Sequence, residues 1–101
     1  MVFINDLREH APLPENGILS RTVHNDDRSK VIQFCFAPGT ELSAHTAPFP
    51  AMLYFAQGEA MVNLGGEARA AAEGTFVHMP AGLEHGITAR TEVVMLLVLL
   101  K

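Results

Sequence analysis

The chain has 101 residues, of which 49% are hydrophobic and 18% charged, and its formal net charge is −4. These proportions are typical of one folded domain, because disordered chains are poor in apolar residues and rich in charge. There is no cluster of Lys or Arg to bind phosphates, and the longest apolar run, residues 93–100, is far shorter than the roughly 20 residues of a membrane helix. We therefore expect neither a nucleic-acid partner nor a membrane partner.

The first ten residues, MVFINDLREH, contain acidic residues and an Arg at positions where a secretory signal has a basic start and an apolar stretch. The single cysteine, Cys35, cannot form an internal disulfide. Both features predict a cytoplasmic protein.

Short segments rich in strand-forming residues follow an N-terminal stretch that contains Pro12 and Pro14. Gly, Pro, Asn and Asp separate these segments at short intervals, which is typical of an all-β sandwich or barrel. We predict an irregular N-terminal arm over residues 1–16 and one barrel domain over residues 17–101. The predicted strands lie at residues 17–24, 29–37, 51–57, 59–64, 67–72, 75–79 and 92–100.

The segment at 67–72, EARAAA, is the one stretch whose composition favours a helix. It lies between Gly65-Gly66 and Gly74, which leaves room for only a short element. A Gly-Gly pair between two extended segments is a signal for a tight hairpin turn. We therefore predict that 67–72 is the second arm of a hairpin.

Alternation in the segment at 29–37 places Ile32, Phe34 and Phe36 on one face and Gln33 and Cys35 on the other. We predict that the aromatic face is the core and that the other face is wetter. The last segment, residues 92–100, is apolar on both faces. It is therefore either a central strand of the sandwich or a surface pressed against a second subunit, and we expect a homodimer.

Two stretches resemble the two signature motifs of the cupin family of small β-barrels. The first contains Gly39, His45 and Gly58 at the motif spacing, and the second contains Gly74, Pro80, Gly82 and His85. The resemblance implies an all-β fold, the double-stranded β-helix or jelly-roll barrel.

In cupins that bind metal, two His and one Glu of the first motif and one His of the second hold Fe, Mn, Ni, Zn or Cu inside the barrel. In this chain Ala47 stands at the second His position and Ala51 at the Glu position, so that the resemblance leaves His45 and His85. Catalytic metals usually have at least three protein ligands. The implied site is therefore a divalent transition metal that is weakly held, or none.

Three further side chains are candidates for a third ligand. His78 is kept as a possible metal ligand with His45 and His85, because the sequence does not decide which face of its strand it occupies. Cys35 is a weaker candidate, since the aromatic face of its strand is the expected interior. Glu84 is disfavoured, because adjacent strand residues such as Glu84 and His85 face opposite sides.

Small apolar replacements at two ligand positions predict a pocket for a small organic molecule, oriented by one or two imidazoles. Leu53 and Phe55 should share the inward face of their strand with Ala51. The predicted pocket is lined by His45, Ala47, Ala51, Leu53, Phe55 and His85.

Our leading hypothesis is a small-molecule-binding cupin with a degenerate metal site and little or no catalysis. The alternative is a metal-dependent oxygenase or isomerase of a small organic acid or diketone, with His45, His85 and His78 holding the ion. Two other interpretations remain: the histidines are hydrogen-bonded remnants without a ligand, or the protein is a regulatory module that acts through its dimer face. We expect His10 and His24, which lie beside loop signals, to be exposed to solvent.

Overall fold

The structure is a computed structural model that describes residues 1–9 and 11–101. The described residues form nine strands and no helix. They therefore include no helix that is long and apolar enough to span a membrane. The strands are β1 (Ile18–Asn25), β2 (Ser29–Phe36), β3 (Glu41–His45), β4 (Ala51–Gln57), β5 (Ala60–Leu64), β6 (Glu67–Ala71), β7 (Phe76–Met79), β8 (His85–Ala89) and β9 (Val93–Leu100).

The strands form two antiparallel sheets, ordered β1-β2-β9-β4-β7 and β3-β8-β5-β6. Six connections join one sheet to the other: the loops at 46–50 and 80–84, and four shorter corners at residues 37–40, 58–59, 72–75 and 90–92. A corner of two to four residues can reach only the nearest strand of the other sheet, so the two strands that it joins stack face to face. Strand β2 thus lies opposite β3, and β9 lies opposite β8. This is the jelly-roll arrangement, and the predicted all-β fold is confirmed.

Seven of the nine strands coincide with predicted segments, and the exceptions are β3 and β8. Strand β3 is a sheet edge in which only Leu42 is even half-buried, so its sequence has no apolar alternation. Strand β8 is buried but contains Gly86 and Ala89, whose small side chains give a weak strand signal. Of these two unpredicted strands, β3 ends at His45 and β8 begins at His85.

The core lies between the two sheets and follows the predicted faces of β2 and β4. Phe36 is fully buried and Phe34 packs against the same cluster. In β4 the inward residues Ala51, Leu53 and Phe55 have 2%, 1% and 0% of their surface exposed. The alternation in these strands therefore identified the core correctly.

The sequence predicted that the opposite face of β2 is wetter than the core. This prediction is wrong, because the N-terminal arm covers that face. Gln33 and Cys35 are each only 1% exposed. The Gln33 side chain donates a hydrogen bond of 2.9 Å to the carbonyl oxygen of Leu7 and accepts one of 2.6 Å from Arg21. Leu7 and Ala11 pack near Cys35, and burial raises the pKa of its thiol.

The arm itself has turns and bends but no strand or helix in its described residues. Besides the contact with Gln33, Arg8 forms ion pairs of 3.0 Å with Asp6 and 3.2 Å with Glu73. The hydrogen bonds that Arg8 donates to the Asp6 carboxylate raise the pKa of Arg8, with smaller contributions from the charges nearby. The arm is thereby attached to the outer face of the five-stranded sheet.

Two further predictions are confirmed. Strand β9 lies between β2 and β4, so it is a central strand of its sheet. Its two faces are both covered or partly covered, which explains why it is apolar on each. Strands β5 and β6 form the predicted hairpin, in which Gly65 and Gly66 have φ values of 60° and 88°. A turn with two positive φ values matches the twist of a hairpin and favours glycine.

Candidate binding site at the barrel mouth

His45 and His85 are direct register partners on the paired strands β3 and β8. The centres of their rings are 4.3 Å apart, and the ring planes are inclined by 56°. His45 is exposed, whereas His85 is only 5% exposed. The structure thus brings together the two histidines that the sequence singled out, at a position where solvent reaches one of them.

A β-bulge in β3 places His45 on this face. Leu42 pairs with Ile87 and His45 pairs with His85, so that β3 uses one more residue than β8 between these pairs. An extra residue reverses the normal alternation of side chains. His45 therefore shares the inward face with Leu42, although the two are an odd number of residues apart.

Gly86 makes room for this bulge. A Cβ atom at position 86 would lie 3.2 Å from the backbone nitrogen of Ala44 and 3.2 Å from the carbonyl oxygen of Leu42. Both neighbours are backbone atoms in the bulge, so they cannot move as easily as a flexible side chain. The glycine after His85 thus helps to position His45, a role that the sequence analysis did not detect.

Each imidazole is oriented by a backbone carbonyl two residues earlier. Nδ1 of His45 lies 2.8 Å from the oxygen of Ser43, and Nδ1 of His85 lies 2.9 Å from the oxygen of Leu83. A carbonyl oxygen can only accept a hydrogen bond, so each Nδ1 must carry the proton. In the neutral ring the lone pair is then on Nε2.

Neither Nε2 atom has a hydrogen-bond partner within the part of the chain that the structure describes. Among these residues no buried side-chain nitrogen or oxygen lacks a partner, so Nε2 of His85 is in contact with solvent-accessible space. The pair therefore offers two oriented lone pairs to a bound group.

The histidine pair lies at one end of the barrel, which we call the mouth and define by the loops at 46–50 and 80–84. The first loop follows His45 and the second precedes His85. A backbone hydrogen bond of 2.9 Å from Gly82 to Ala47 ties them together. The four shorter corners between the sheets lie at the other end.

The predicted pocket is smaller in the structure than the sequence suggested. Leu53 and Phe55 have no surface free to line an opening and belong to the packed core. Ala51, which stands at the Glu position of the first motif, pairs with Met79 on one side and Leu99 on the other. These long side chains pack in the core beside the position that the Glu would occupy. Ala51 is itself only 2% exposed and belongs to the same core, so His45, Ala47 and His85 remain as candidates at the mouth.

Four surface cavities, of about 480, 420, 210 and 200 Å³, lie elsewhere. The two larger ones are lined by the N-terminal arm and the outer face of the five-stranded sheet, and the smaller ones by the outside of the other sheet and the strand ends near Arg90. None of the four is lined by His45 or His85.

The structure places His78 away from this site. His78 is exposed and pairs with Met52, whereas its neighbours Val77 and Met79 face the core. It therefore occupies the outer face of the sheet, and the geometry contradicts the hypothesis that it is a third ligand. Cys35 is also on an outer face, under the arm.

The remaining candidates do not complete a metal site. Glu84 is exposed next to His85 and uses its carbonyl oxygen to accept a bond from Gly65. Within the described ranges there is no group of three or more His, Cys, Asp or Glu residues that could hold a metal ion. The residues present thus do not fit the four-ligand centre that the cupin resemblance implies. They supply two nitrogen donors.

The remaining histidines, His24 in β1 and His10, were expected to be exposed. His24 is exposed, as predicted, and lies 2.7 Å from a carboxylate oxygen of Asp26. This hydrogen bond, together with those from the backbone amides of Arg28 and Ser29, holds the pKa of Asp26 well below its usual range. His10 lies outside the residues that the structure describes.

Comparison with known proteins agrees with this fold. A model of the cupin domain matches residues 32–100, which is more than half of the chain. The chain therefore belongs to the cupin family. No curated protein matches it.

Several solved structures are similar to the chain. A conserved protein of unknown function from Streptococcus pyogenes is 30% identical, with a TM-score of 0.90 over 100% of this chain and 89% of that one. A cupin 2 conserved barrel domain protein from Leptotrichia buccalis is 27% identical, with a TM-score of 0.86 over 93% of this chain and 46% of that one. KdgF from Halomonas sp. is 25% identical, with a TM-score of 0.80 over 100% of this chain and 94% of that one.

Proposed function

We propose that this cupin binds a small organic molecule at the barrel mouth through His45 and His85, and that it has little or no catalytic activity. One observation supports this most strongly: both rings are fixed by backbone carbonyls, and both Nε2 atoms lack a protein partner. A histidine that served the fold alone would be expected to have its second nitrogen paired or fully in solvent. Here His85 is nearly buried and still leaves Nε2 open.

The chemistry of the pair defines what it binds well. A neutral imidazole with its proton on Nδ1 accepts a hydrogen bond at Nε2. Two such acceptors with ring centres 4.3 Å apart suit a ligand with O–H or N–H groups. The half-buried Ala47 adds small apolar surface beside them, which favours a compact ligand over a bulky one.

A metal ion would be held only weakly by these residues. Structural zinc sites with four protein ligands gain about 10–16 kcal/mol on binding. Two of four donors provide roughly half of this, which corresponds to dissociation constants from about 1 µM to about 0.1 mM. Without a carboxylate from the protein, the double charge of the ion is also less well compensated.

Elemental analysis of protein purified without chelators tests this proposal. We expect far less than one equivalent of any of Zn, Ni, Fe, Mn or Cu. Titration with Zn²⁺ alone should give a dissociation constant in the range above for the wild type and no binding at the mouth for His85→Gln. Near-stoichiometric metal in the purified wild type would contradict the proposal.

A metal-dependent oxygenase or isomerase of a small organic acid or diketone is the second candidate. The observation in its favour is the bond from each Nδ1 to a carbonyl, since metal-bound histidines commonly have such a partner on the other ring nitrogen. In that case His45 and His85 would hold the ion, which would polarise a bound carbonyl. Metal-dependent turnover that disappears in both His45→Ala and His85→Gln would establish it.

We also propose that the protein forms a homodimer through the outer face of the five-stranded sheet. On this face Tyr54 and Phe76 are 42% and 60% exposed, and the half-buried Leu96 lies in the same row. Exposed apolar side chains that form a continuous surface are typical of interfaces. Sedimentation should give a dimer for the wild type and a monomer for Phe76→Glu. A monomeric wild type would exclude this assembly.

A further inference from the structure

Lys30 lies on the inward face of the five-stranded sheet, in the row nearest the mouth. It pairs with Leu99, which pairs with Ala51, and Ala51 pairs with Met79. Direct cross-strand partners point to the same side of a sheet. Since Leu99 and Met79 pack in the core, the side chain of Lys30 starts on the inner side too.

The jelly-roll connection places Lys30 opposite His45. The short corner at 37–40 joins β2 to β3, so these two strands stack across the barrel. Lys30 is six residues before the last residue of β2, and His45 is four residues after the first residue of β3. Because the bulge in β3 takes up one residue, the lysine is closer to the rim by about three residues, or about 10 Å, and sheets that face each other are about 10 Å apart. A long lysine side chain can cover much of this gap.

The ammonium group of Lys30 has no protein partner in the residues that the structure describes. No carboxylate lies within ion-pair distance, although the residue is half-buried. By contrast, Arg8 and Arg69 pair with acidic residues, and Lys101 donates to Asn25. An unpaired cation is favourable for binding an anion.

We propose that Lys30 binds the carboxylate of the ligand, so that the ligand is a small hydroxy or enol acid. Its hydroxyl group donates to Nε2 of His45 or His85, and its carboxylate accepts from Lys30 at the rim. This inference depends on the proposed function, because it adds a second contact to a ligand already held by the imidazoles. It also defines the class of ligand, which the two histidines alone do not.

Paired probes separate the role of the charge from that of the imidazoles. The probes are glycolate, lactate and malate, each compared with its neutral amide. Each amide keeps the hydroxyl group and loses the negative charge. Binding is followed by long-range proton–nitrogen correlation NMR of the two imidazoles, and separately by the ε-methylene signal of Lys30.

We expect at least one acid to shift the Nε2 signals of His45 and His85 and to bind about tenfold more tightly than its amide, as is typical for a charge-assisted hydrogen bond. In Lys30→Gln the acid and its amide should bind equally. Lys30→Arg should restore the preference, because it restores the positive charge. Lys101→Gln is the matched control: it removes one positive charge near the same strand ends and should keep the preference.

The possible results distinguish the two proposals. If the acids and amides shift the imidazole signals equally in the wild type, the inference about Lys30 is wrong and the proposed binding site stands. The inference about Lys30 is also wrong if Lys30→Gln still binds the acid more tightly than its amide, provided that the backbone NMR spectrum shows this variant to be folded. If no probe shifts either imidazole at millimolar concentration, both proposals are contradicted.

Discussion

The interface under the N-terminal arm and the barrel mouth both contain polar side chains in a largely apolar setting, but they differ in what these groups contact. Under the arm, Gln33 is buried and uses both its amide nitrogen and its amide oxygen within the protein. At the mouth, His45 and His85 each use one nitrogen for the fold and leave the other open. A polar group with all its bonds made stabilises the fold, whereas one with an oriented and open atom is available to a ligand.

Replacing Gln33 tests the first half of this comparison and should have the largest effect on stability. Gln33→Leu removes both hydrogen bonds and leaves the carbonyl of Leu7 without its donor. We expect a loss of about 2 kcal/mol in the free energy of unfolding, measured by urea denaturation. Gln33→Glu is the control, because it keeps the acceptor for Arg21 and loses only the donor to Leu7. An unchanged stability in Gln33→Leu would mean that the arm contributes little to the fold.

Gly86→Ala connects the fold to the site. The new methyl group would press on the backbone of the bulge that positions His45. We expect a destabilisation of about 1 kcal/mol, as for modest overpacking, and a change in the contact between the two rings. The nuclear Overhauser effects between the imidazoles should weaken in this variant. A variant with unchanged ring contacts would show that the bulge tolerates a side chain there.

His45→Ala tests the second half of the comparison. His45 is exposed and its ring bonds only to its own strand, so the free energy of unfolding should change by less than about 0.5 kcal/mol. Binding of Zn²⁺ or of a small hydroxy acid at the mouth should nevertheless be lost. A large loss of stability would indicate instead that the ring is a structural element.

A smaller effect is expected at Asp26, an exposed carboxylate that is hydrogen-bonded to His24 and to the backbone amides of Arg28 and Ser29. Its pKa is lowered in the folded state mainly by the hydrogen bond with His24, so this carboxylate stabilises the fold at pH values above its ordinary pKa of 3.8. That contribution is lost as the pH falls through the folded value. In Asp26→Asn the stability should therefore fall less steeply on acidification below about pH 4 than in the wild type. Thermal unfolding at several acidic pH values measures both slopes.

Much of the fold was predictable because periodicity reports which side of a strand is buried. The alternation in β2 and β4 identified the inward residues, and Gly65-Gly66 identified the hairpin. The cover over Gln33 was not predictable, since it depends on how an irregular arm folds back on the sheet. Strand β3 was missed because an exposed edge strand has no need of apolar alternation.

The site was predictable in part for the same reason. The motif spacing identified His45 and His85, but the bulge that places them on one face appears only when the register is known. His78 could not be assigned to a face from the sequence, because the register of β7 depends on its pairing with β4. Lys30 was overlooked, as one charged residue near a strand end gives no signal until the opposite strand is known.

The most direct test of the account is the protonation pattern of the two imidazoles in the free protein, measured by long-range proton–nitrogen correlation NMR at neutral pH. We predict that both neutral rings carry the proton on Nδ1 and that the Nε2 signals are those of an open acceptor, shifting when a small hydroxy acid is added. Protons on Nε2 in both rings, or Nε2 signals that no added ligand or metal changes, would contradict the central claim that this pair is a binding site.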